Sequence, residues 1–175
     1  MIERLETERL ILRKPAARDW EMGRDFFMSE RAKGIGGPYE EGRAWLIFAA
    51  EIGHWEIRGY GMFAVTRKGE DRALGLIGPW VPSIWPETEV GWTIWDPSVE
   101  GTGIATEAAR ACVLHAYRDL GWSTVVSYIA PDNHRSIRLA EKLGAVHDVH
   151  AKQPMKDKPS LVYRHPRPAD ERGAA

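Results

Sequence analysis

The sequence predicts a single domain of the α/β (α+β) class, and three observations lead there. The chain has 175 residues and a mass of 19.8 kDa, close to the ~100–150 residues at which domains cluster. The order of patterns is a strand, two helices, a meander of strands, and then helix alternating with strand. The period also changes at Asp96-Pro97, from the two-residue alternation of 87–95 to three-and-four spacing over 104–120.

Arg9-Leu10-Ile11-Leu12-Arg13-Lys14 is a short strand stopped by Pro15. Trp20, Met22, Phe26 and Phe27 recur at helical spacing within 18–27, and Gly34-Ile35-Gly36-Gly37-Pro38 breaks that pattern. A second helix follows, with Trp45, Leu46, Phe48, Ala49 and Ile52 expected on its apolar face. Strands at 60–66 and 73–78 flank a Lys68-Gly69-Glu70-Asp71 turn and form a hairpin. A loop rich in Pro and Trp, 78–86, leads to an alternating strand at 87–95. The Ala-rich stretch 104–120 is a buried helix ended by Gly121. A strand at 124–129, a helix at 136–143 closed by Gly144, and strands at 146–150 and 161–164 complete residues 1–165. The tail 166–175 is polar and expected to fray.

Several function classes drop out. With 24 basic and 25 acidic residues the net charge is -1, so the electrostatic footprint of a nucleic-acid binder is missing. One cysteine excludes an intramolecular disulfide framework and a multi-thiolate metal site. No segment has the apolar length of a signal peptide or a membrane span, which makes a cytoplasmic protein the expectation. Eight tryptophans are more than a core needs, and four of them crowd between Trp80 and Trp95.

The most informative segment is Asp96-Pro97-Ser98-Val99-Glu100-Gly101-Thr102-Gly103-Ile104-Ala105-Thr106-Glu107-Ala108-Ala109. A strand ends, a glycine-bearing turn follows, and a helix of small residues begins at once. The first amides of a helix lack intrahelical acceptors and carry a positive dipole, so this arrangement can bind a phosphate. Two glycines can equally do no more than shape a turn. Neither the P-loop nor the dinucleotide fingerprint is matched.

Four segments together carry a resemblance. Thr7-Glu8-Arg9-Leu10-Ile11-Leu12-Arg13, Glu89-Val90-Gly91-Trp92, Gly101 to Ala108, and Asn133-His134-Arg135-Ser136-Ile137-Arg138-Leu139-Ala140-Glu141-Lys142-Leu143-Gly144 resemble GNAT-superfamily N-acetyltransferases. The likeness is to the Rim-type branch that acetylates ribosomal-protein N-termini, and it covers about Thr7 to Val149. It implies a mixed, mostly antiparallel sheet of about six or seven strands, splayed between its fourth and fifth, with about four flanking helices. It implies acetyl-CoA as co-substrate and no metal, with the pyrophosphate on the amides of Gly101, Thr102, Gly103, Ile104, Ala105 and Thr106. Three positions depart from the family pattern: Ser98 replaces a common Gln or Arg, Ala145 replaces Phe, and Ala140 replaces the usual Tyr acid.

The chemistry needs a neutral amine, a polarised carbonyl and a proton for the leaving thiolate. An α-amine, with a pKa near ~8, asks less of a base than a lysine near ~10.4. Glu89 is the candidate base, on the strand that the resemblance sets beside the thioester. Glu87 shares its face by alternation; both can also be solvated strand charges. Ser136 is the candidate acid, with Tyr128 in reserve, and Asn133 the candidate pantetheine contact. Asn133 and Ser136 also read as a helix cap and first-turn residue. The polarising amide is expected among Trp92, Thr93 and Ile94. Cys112, with His115 one turn along, reads as packed core rather than a nucleophile, and His54 and His134 as surface residues. His147 and His150, three apart, do not form a metal site.

Trp92 is expected in the core. Trp80 and Trp85, among prolines in the loop, are expected as an acceptor wall with Glu87 or as a homodimer contact. The expected activity is direct acetyl transfer to a protein α-amine or a small-molecule amine. The alternative is an acetyl-CoA-binding module without catalysis.

Overall fold

The computed structural model describes residues 2–155 and 158–168. Residues 169–175 of the expected tail lie outside them. Arg167, at the tail's start, lies over the Tyr117 ring.

Among the described residues twelve regular elements follow one another: β1 (Arg4–Glu6), β2 (Leu10–Arg13), α1 (Trp20–Phe27), α2 (Glu41–Arg58), β3 (Phe63–Arg67), β4 (Gly75–Trp80), β5 (Glu89–Ile94), α3 (Ile104–Arg118), β6 (Val126–Ile129), α4 (His134–Lys142), β7 (Val146–His147) and β8 (Leu161–Arg164). Short 3-10 turns cover Ala17–Asp19, Glu30–Ile35 and Pro97–Val99. One mixed sheet runs β1-β2-β3-β4-β5-β6-β8-β7. Every pair is antiparallel except β5 with β6.

The expected architecture holds, with one strand more than expected. β1 is a three-residue polar edge that pairs Leu5 with Leu12, too short to leave a periodic signal. The first helix begins at Trp20, two residues later than read, because a 3-10 turn precedes it. β4 extends to Trp80, so this residue belongs to a strand and not to the loop. β7 is only two residues long.

Both faces of the sheet are covered. Leu10, Leu12, Phe63, Val65 and Ile77 pack with Ala108, Ala109, Cys112 and Ala116 of α3. The small side chains let this helix lie close to the strands. Ala64, Leu76, Met62 and Trp95 pack on the other face with Phe26 and Phe27 of α1 and Phe48 of α2.

Helix α2 corrects the sequence reading. Trp45 and Leu46 are exposed, at 56% and 54%, and the buried face is Ala44, Phe48, Glu51, His54 and Trp55. The side chains that meet the sheet recur three and four apart from Phe48. Two of them are polar, and an apolar count passes over such residues. His54, expected at the surface, is 6% exposed.

Candidate active site

Strands β5 and β6 pair only at Glu89 with Val126, joined by Val126 N–H to Thr88 O. Beyond that point they diverge. The expected splay between the fourth and fifth strands of the sequence reading is therefore present, between β5 and β6. Ser127 bridges its inner end by donating its hydroxyl to Val90 O at 2.6 Å.

Divergence leaves one edge of β5 open, and three contacts identify which groups lie on it. Val90 O accepts from Ser127 and Ile94 O from Arg31 Nη2 at 2.9 Å, both away from β4. Trp95 N–H donates to Leu74 O on the β4 side. By strand alternation the N–H and C=O of Trp92 lie between Val90 and Ile94 on the open edge. Pro79 opposite Val90 agrees, since a residue without N–H fits a pair that exchanges no hydrogen bonds.

A cleft of about 570 Å³ opens from this edge. Trp92, Thr93 and Ile94 form one wall, the glycine turn its end, Asn133, Ser136 and Leu139 of α4 the opposite wall, and Arg31, Gly34 and Ile35 the cover.

The glycine turn leaves main-chain donors unpaired. Gly101 and Gly103 have φ of 76° and 83°, a region that only glycine enters freely. The amides of Gly103, Ile104, Ala105 and Thr106 have no acceptor among the described residues; the first intrahelical bond starts at Glu107 N–H. The first strand holds the turn from behind. Glu107 accepts from Thr7 Oγ1 at 2.5 Å, from Arg9 N–H at 2.9 Å and from Arg9 Nε at 2.6 Å. Arg9 Nη1 takes Thr102 O at 3.2 Å, which leaves the amides to the cleft. Burial of Glu107 opposes its ionisation, but those hydrogen bonds outweigh it and hold the carboxyl below its usual range. Thr102 and Ile104 can contribute only main-chain groups. The Thr102 hydroxyl donates to Val99 O, and the Ile104 side chain is core.

Cationic side chains rim the same end. Arg31 and Arg135 grip the two oxygens of Glu100 at 2.7 and 2.5 Å. Arg138 and Lys142 line the cleft and form no ion pair with a described residue. Free amides, unpaired cations and an elongated cleft fit a phosphate-bearing ligand with a long arm. Asn133 Oδ1 caps α4 through Ser136 N–H at 3.2 Å. A Cβ on Gly34 would stand 2.4 Å from Asn133 Nδ2, so a larger residue there would displace the Asn133 side chain.

Glu89 and Ser136 stand on opposite faces of the sheet. Glu89 pairs with Trp80 in register and shares the α2 face with Trp95. Trp92 pairs with Ile77 and turns to the α3 and α4 face. Trp92 is not the core residue expected: it is half-buried and lines the cleft. Of the four tryptophans between Trp80 and Trp95, the core one is Trp95, 3% exposed against Phe27 and Phe48.

Glu89 is 7% exposed. Burial raises its pKa to about 7 from an ordinary 4.5, against the pull of two donors, Trp85 Nε1 and the Tyr128 N–H at 3.4 Å. Trp85 is therefore half inside, bound to the carboxylate, with its ring edge-on to Tyr128. Glu51, absent from the sequence expectations, lies on the buried face of α2, and its Oε2 has no hydrogen-bond partner. Burial and then the Glu89 charge raise it to about 8.

His54 links this face to the loop. Val81 N–H donates to Nε2 at 3.0 Å, so Nδ1 carries the proton that goes to Tyr60 O at 2.8 Å. The ring is a neutral imidazole, its pKa lowered chiefly by burial. Trp80 stacks on it at 4.8 Å.

The other side chains named from the sequence have these surroundings. Glu87 gives both oxygens to Arg164, at 2.7 and 3.1 Å, and is not free to take an acceptor. The Tyr128 hydroxyl lies near the Glu87 backbone but forms no hydrogen bond of acceptable geometry. Burial and the two glutamates raise its pKa well above the usual phenol range. Cys112 is fully buried, its thiol pushed up by burial, and its Sγ faces Ile77 O. His115 is spent on Asp119 at 2.7 Å. His147 stacks on Tyr163, and no metal-binding group occurs among the described residues. No helix of the described residues is long and apolar enough to cross a membrane.

Comparison with known proteins agrees with this geometry. Residues 9–146 match the family model of the acetyltransferase (GNAT) domain. An acetyltransferase from Agrobacterium tumefaciens str. C58 is 36% identical, with a TM-score of 0.88 over 95% of this chain and 96% of that one. A ribosomal-protein-S5-alanine acetyltransferase from Vibrio fischeri shares the fold, with a TM-score of 0.65 at 18% identity over 96% and 97% of the two chains. The uncharacterized protein YkkB of Bacillus subtilis (strain 168) is 37% identical over 65 residues. That match spans 36% of each chain, about a third of the relative's length. By the glycine turn, the splayed strands and the extent of the family match, the chain belongs to the GNAT acetyltransferase family.

Proposed function

We propose that this protein transfers the acetyl group of acetyl-CoA directly to a primary amine, either a protein N-terminal α-amine or a small-molecule amine. The observation that carries this reading is the placement of a buried carboxyl with a pKa near 7, Glu89, on one side of the splay and a cleft-facing hydroxyl, Ser136, on the other. Acetyl-CoA supplies a thioester whose carbon is open to attack by a neutral amine.

The amides of residues 103–106 with Arg138 and Lys142 hold the phosphates, and Asn133 lies along the path of the pantetheine arm. The free Trp92 N–H on the open edge of β5 is the donor for the carbonyl oxygen. A fixed donor of this kind costs no reorganisation during reaction. Glu89 takes the proton of the amine, directly or through water. Near neutral pH about half of it is ionised, which suits a base working at that pH. Ser136 gives a proton to the sulfur. Trp80 and Trp85 flank the Glu89 side, where aromatic faces favour an ammonium group or a flat apolar acceptor. This division leaves no part for Cys112, and the transfer is a single displacement.

The test is release of CoA thiol from acetyl-CoA with a panel of α-amino peptides and small amines, with the products read by mass spectrometry. Acetylated product from one class supports transfer and identifies the acceptor. Thermal stabilisation by acetyl-CoA with no product from any amine would point to a binding module. Absence of stabilisation would overturn both.

A further inference from the structure

The side chain of Trp92 makes a contact that the transfer reading does not use. Its indole Nε1–H donates to Ser136 Oγ at 3.0 Å. An indole nitrogen can only donate, so the serine oxygen must accept. The Ser136 proton is thereby left to point elsewhere, and the direction open to it is the cleft, which both residues line. The main chain of Ser136 is fixed as well, by its N–H on Asn133 Oδ1.

The indole is braced from behind. Its ring stands edge-on to His165, with centroids 6.4 Å apart at 86°. His165 is buried, and burial lowers its pKa to about 4, so it is a neutral ring. Its Nε2 lies 2.9 Å from Ser127 Oγ. The Ser127 hydroxyl is committed as donor to Val90 O, so His165 is the donor to Ser127. The main chain of His165 is tied to Val125 O and the Tyr117 hydroxyl. On its other side Trp92 packs against the cluster of Ile129, Ala140, Ala145 and Tyr163, where two alanines leave room for the bicyclic ring.

We propose that Trp92 is a positioning residue for the leaving-group step: its indole N–H, held on Ser136 Oγ, confines the Ser136 proton to the cleft where the departing thiolate of acetyl-CoA receives it. The proposal rests on the acetyl-transfer reading above. In that step the C–S bond breaks with its electron pair going to sulfur, and the Ser136 proton moves to that sulfur to give the thiol. Water restores the proton to Ser136, and the proton lost by the amine leaves through Glu89 to solvent.

The test uses the full chain and a double-mutant cycle of Trp92→Phe and Ser136→Ala. Phenylalanine keeps an aromatic ring and removes the donor. Trp92→Phe should lower kcat about tenfold, with a change under about twofold in the acetyl-CoA concentration needed for half-maximal thermal stabilisation. In the Ser136→Ala background it should cost nothing further, because the group it orients is gone. Additive losses, or equal loss of rate and acetyl-CoA binding, would make Trp92 a packing residue and overturn the proposal. If Trp92→Phe does not fold, the indole N–H resonances of wild type and Ser136→Ala decide. One resonance should move upfield and exchange faster with solvent in Ser136→Ala; an unchanged set refutes the hydrogen bond. Failure of the wild type to acetylate any amine would remove the transfer reading itself. Normal transfer with an additive cycle would remove only the role of Trp92.

Discussion

Replacing Glu51 by Gln should change how stability depends on pH, in a direction fixed by the structure. Glu51 is 7% exposed, beneath α2, with one oxygen unpartnered. Burial first, and the Glu89 charge second, move its pKa from 4.5 to about 8. A raised folded pKa means that the protonated form is preferred in the folded state. The stability it contributes is full below about pH 4.5 and is lost as pH rises through about 8. The whole displacement corresponds to about 5 kcal/mol as an upper bound. Water entry and relaxation around a buried charge reduce such penalties, and about 1–3 kcal/mol is the working expectation. Urea unfolding or thermal melts at pH 5.5 and 8.5, on wild type and Glu51→Gln, give the comparison. Wild type should lose about 1–3 kcal/mol more than the variant between the two pH values, or roughly 2–12 °C in Tm for a chain of this size. The difference between the two slopes is what counts, since glutamine carries its own desolvation cost at both. Parallel pH curves for the two proteins would refute the buried, protonated Glu51.

Glu89→Gln should lower kcat/KM by about 10²–10³ at pH 8 and remove the rising limb centred near pH 7; a limb that survives unchanged would assign the base elsewhere. Trp85→Phe deletes a hydrogen bond that favours the ionised carboxylate, so that limb should move to higher pH, as a pH–rate profile would show. Gly103→Ala places a Cβ at φ 83°, which costs about 1 kcal/mol or more and should weaken acetyl-CoA binding in a thermal-shift titration. Cys112→Ala should leave kcat within about twofold, and iodoacetamide should not inactivate the folded protein, because the thiol is buried and its pKa raised.

Much of the fold was legible because the signals were local. Alternating strands, an Ala-rich helix closed by glycine, and a turn with two glycines each depend on residues close in sequence. The glycine-bearing turn is legible too, and the structure leaves the four amides of residues 103–106 without acceptors among the described residues. What was misread concerns faces rather than elements. An apolar count put Trp45 and Leu46 inward on α2. The helix instead buries Glu51 and His54, because residues three, six and seven from Phe48 lie on its buried face. The reading sets Trp80 and Trp85 in one loop; Trp80 is instead a strand end stacked on His54, while Trp85 stays in the loop and donates to Glu89. Glu87 was sorted with Glu89 by alternation alone, yet Arg164, 77 residues away, takes its carboxylate.

The sequence by itself determined the class of fold, the order of its elements, the glycine-bearing turn before α3 and the residue types available for chemistry. Those follow from periodicity, glycine conformation and helix termini, which are properties of short segments. Only the tertiary structure decided what each carboxyl is worth. Glu87, neutralised by Arg164, is a strut, whereas Glu89 and Glu51 have no cation beside them and keep their protons to near neutral pH. It likewise decided that Trp92 serves the cleft and Trp95 the core. Ionisation depends on dielectric surroundings and on partners drawn from α2, β6 and β8, and no local pattern carries that information.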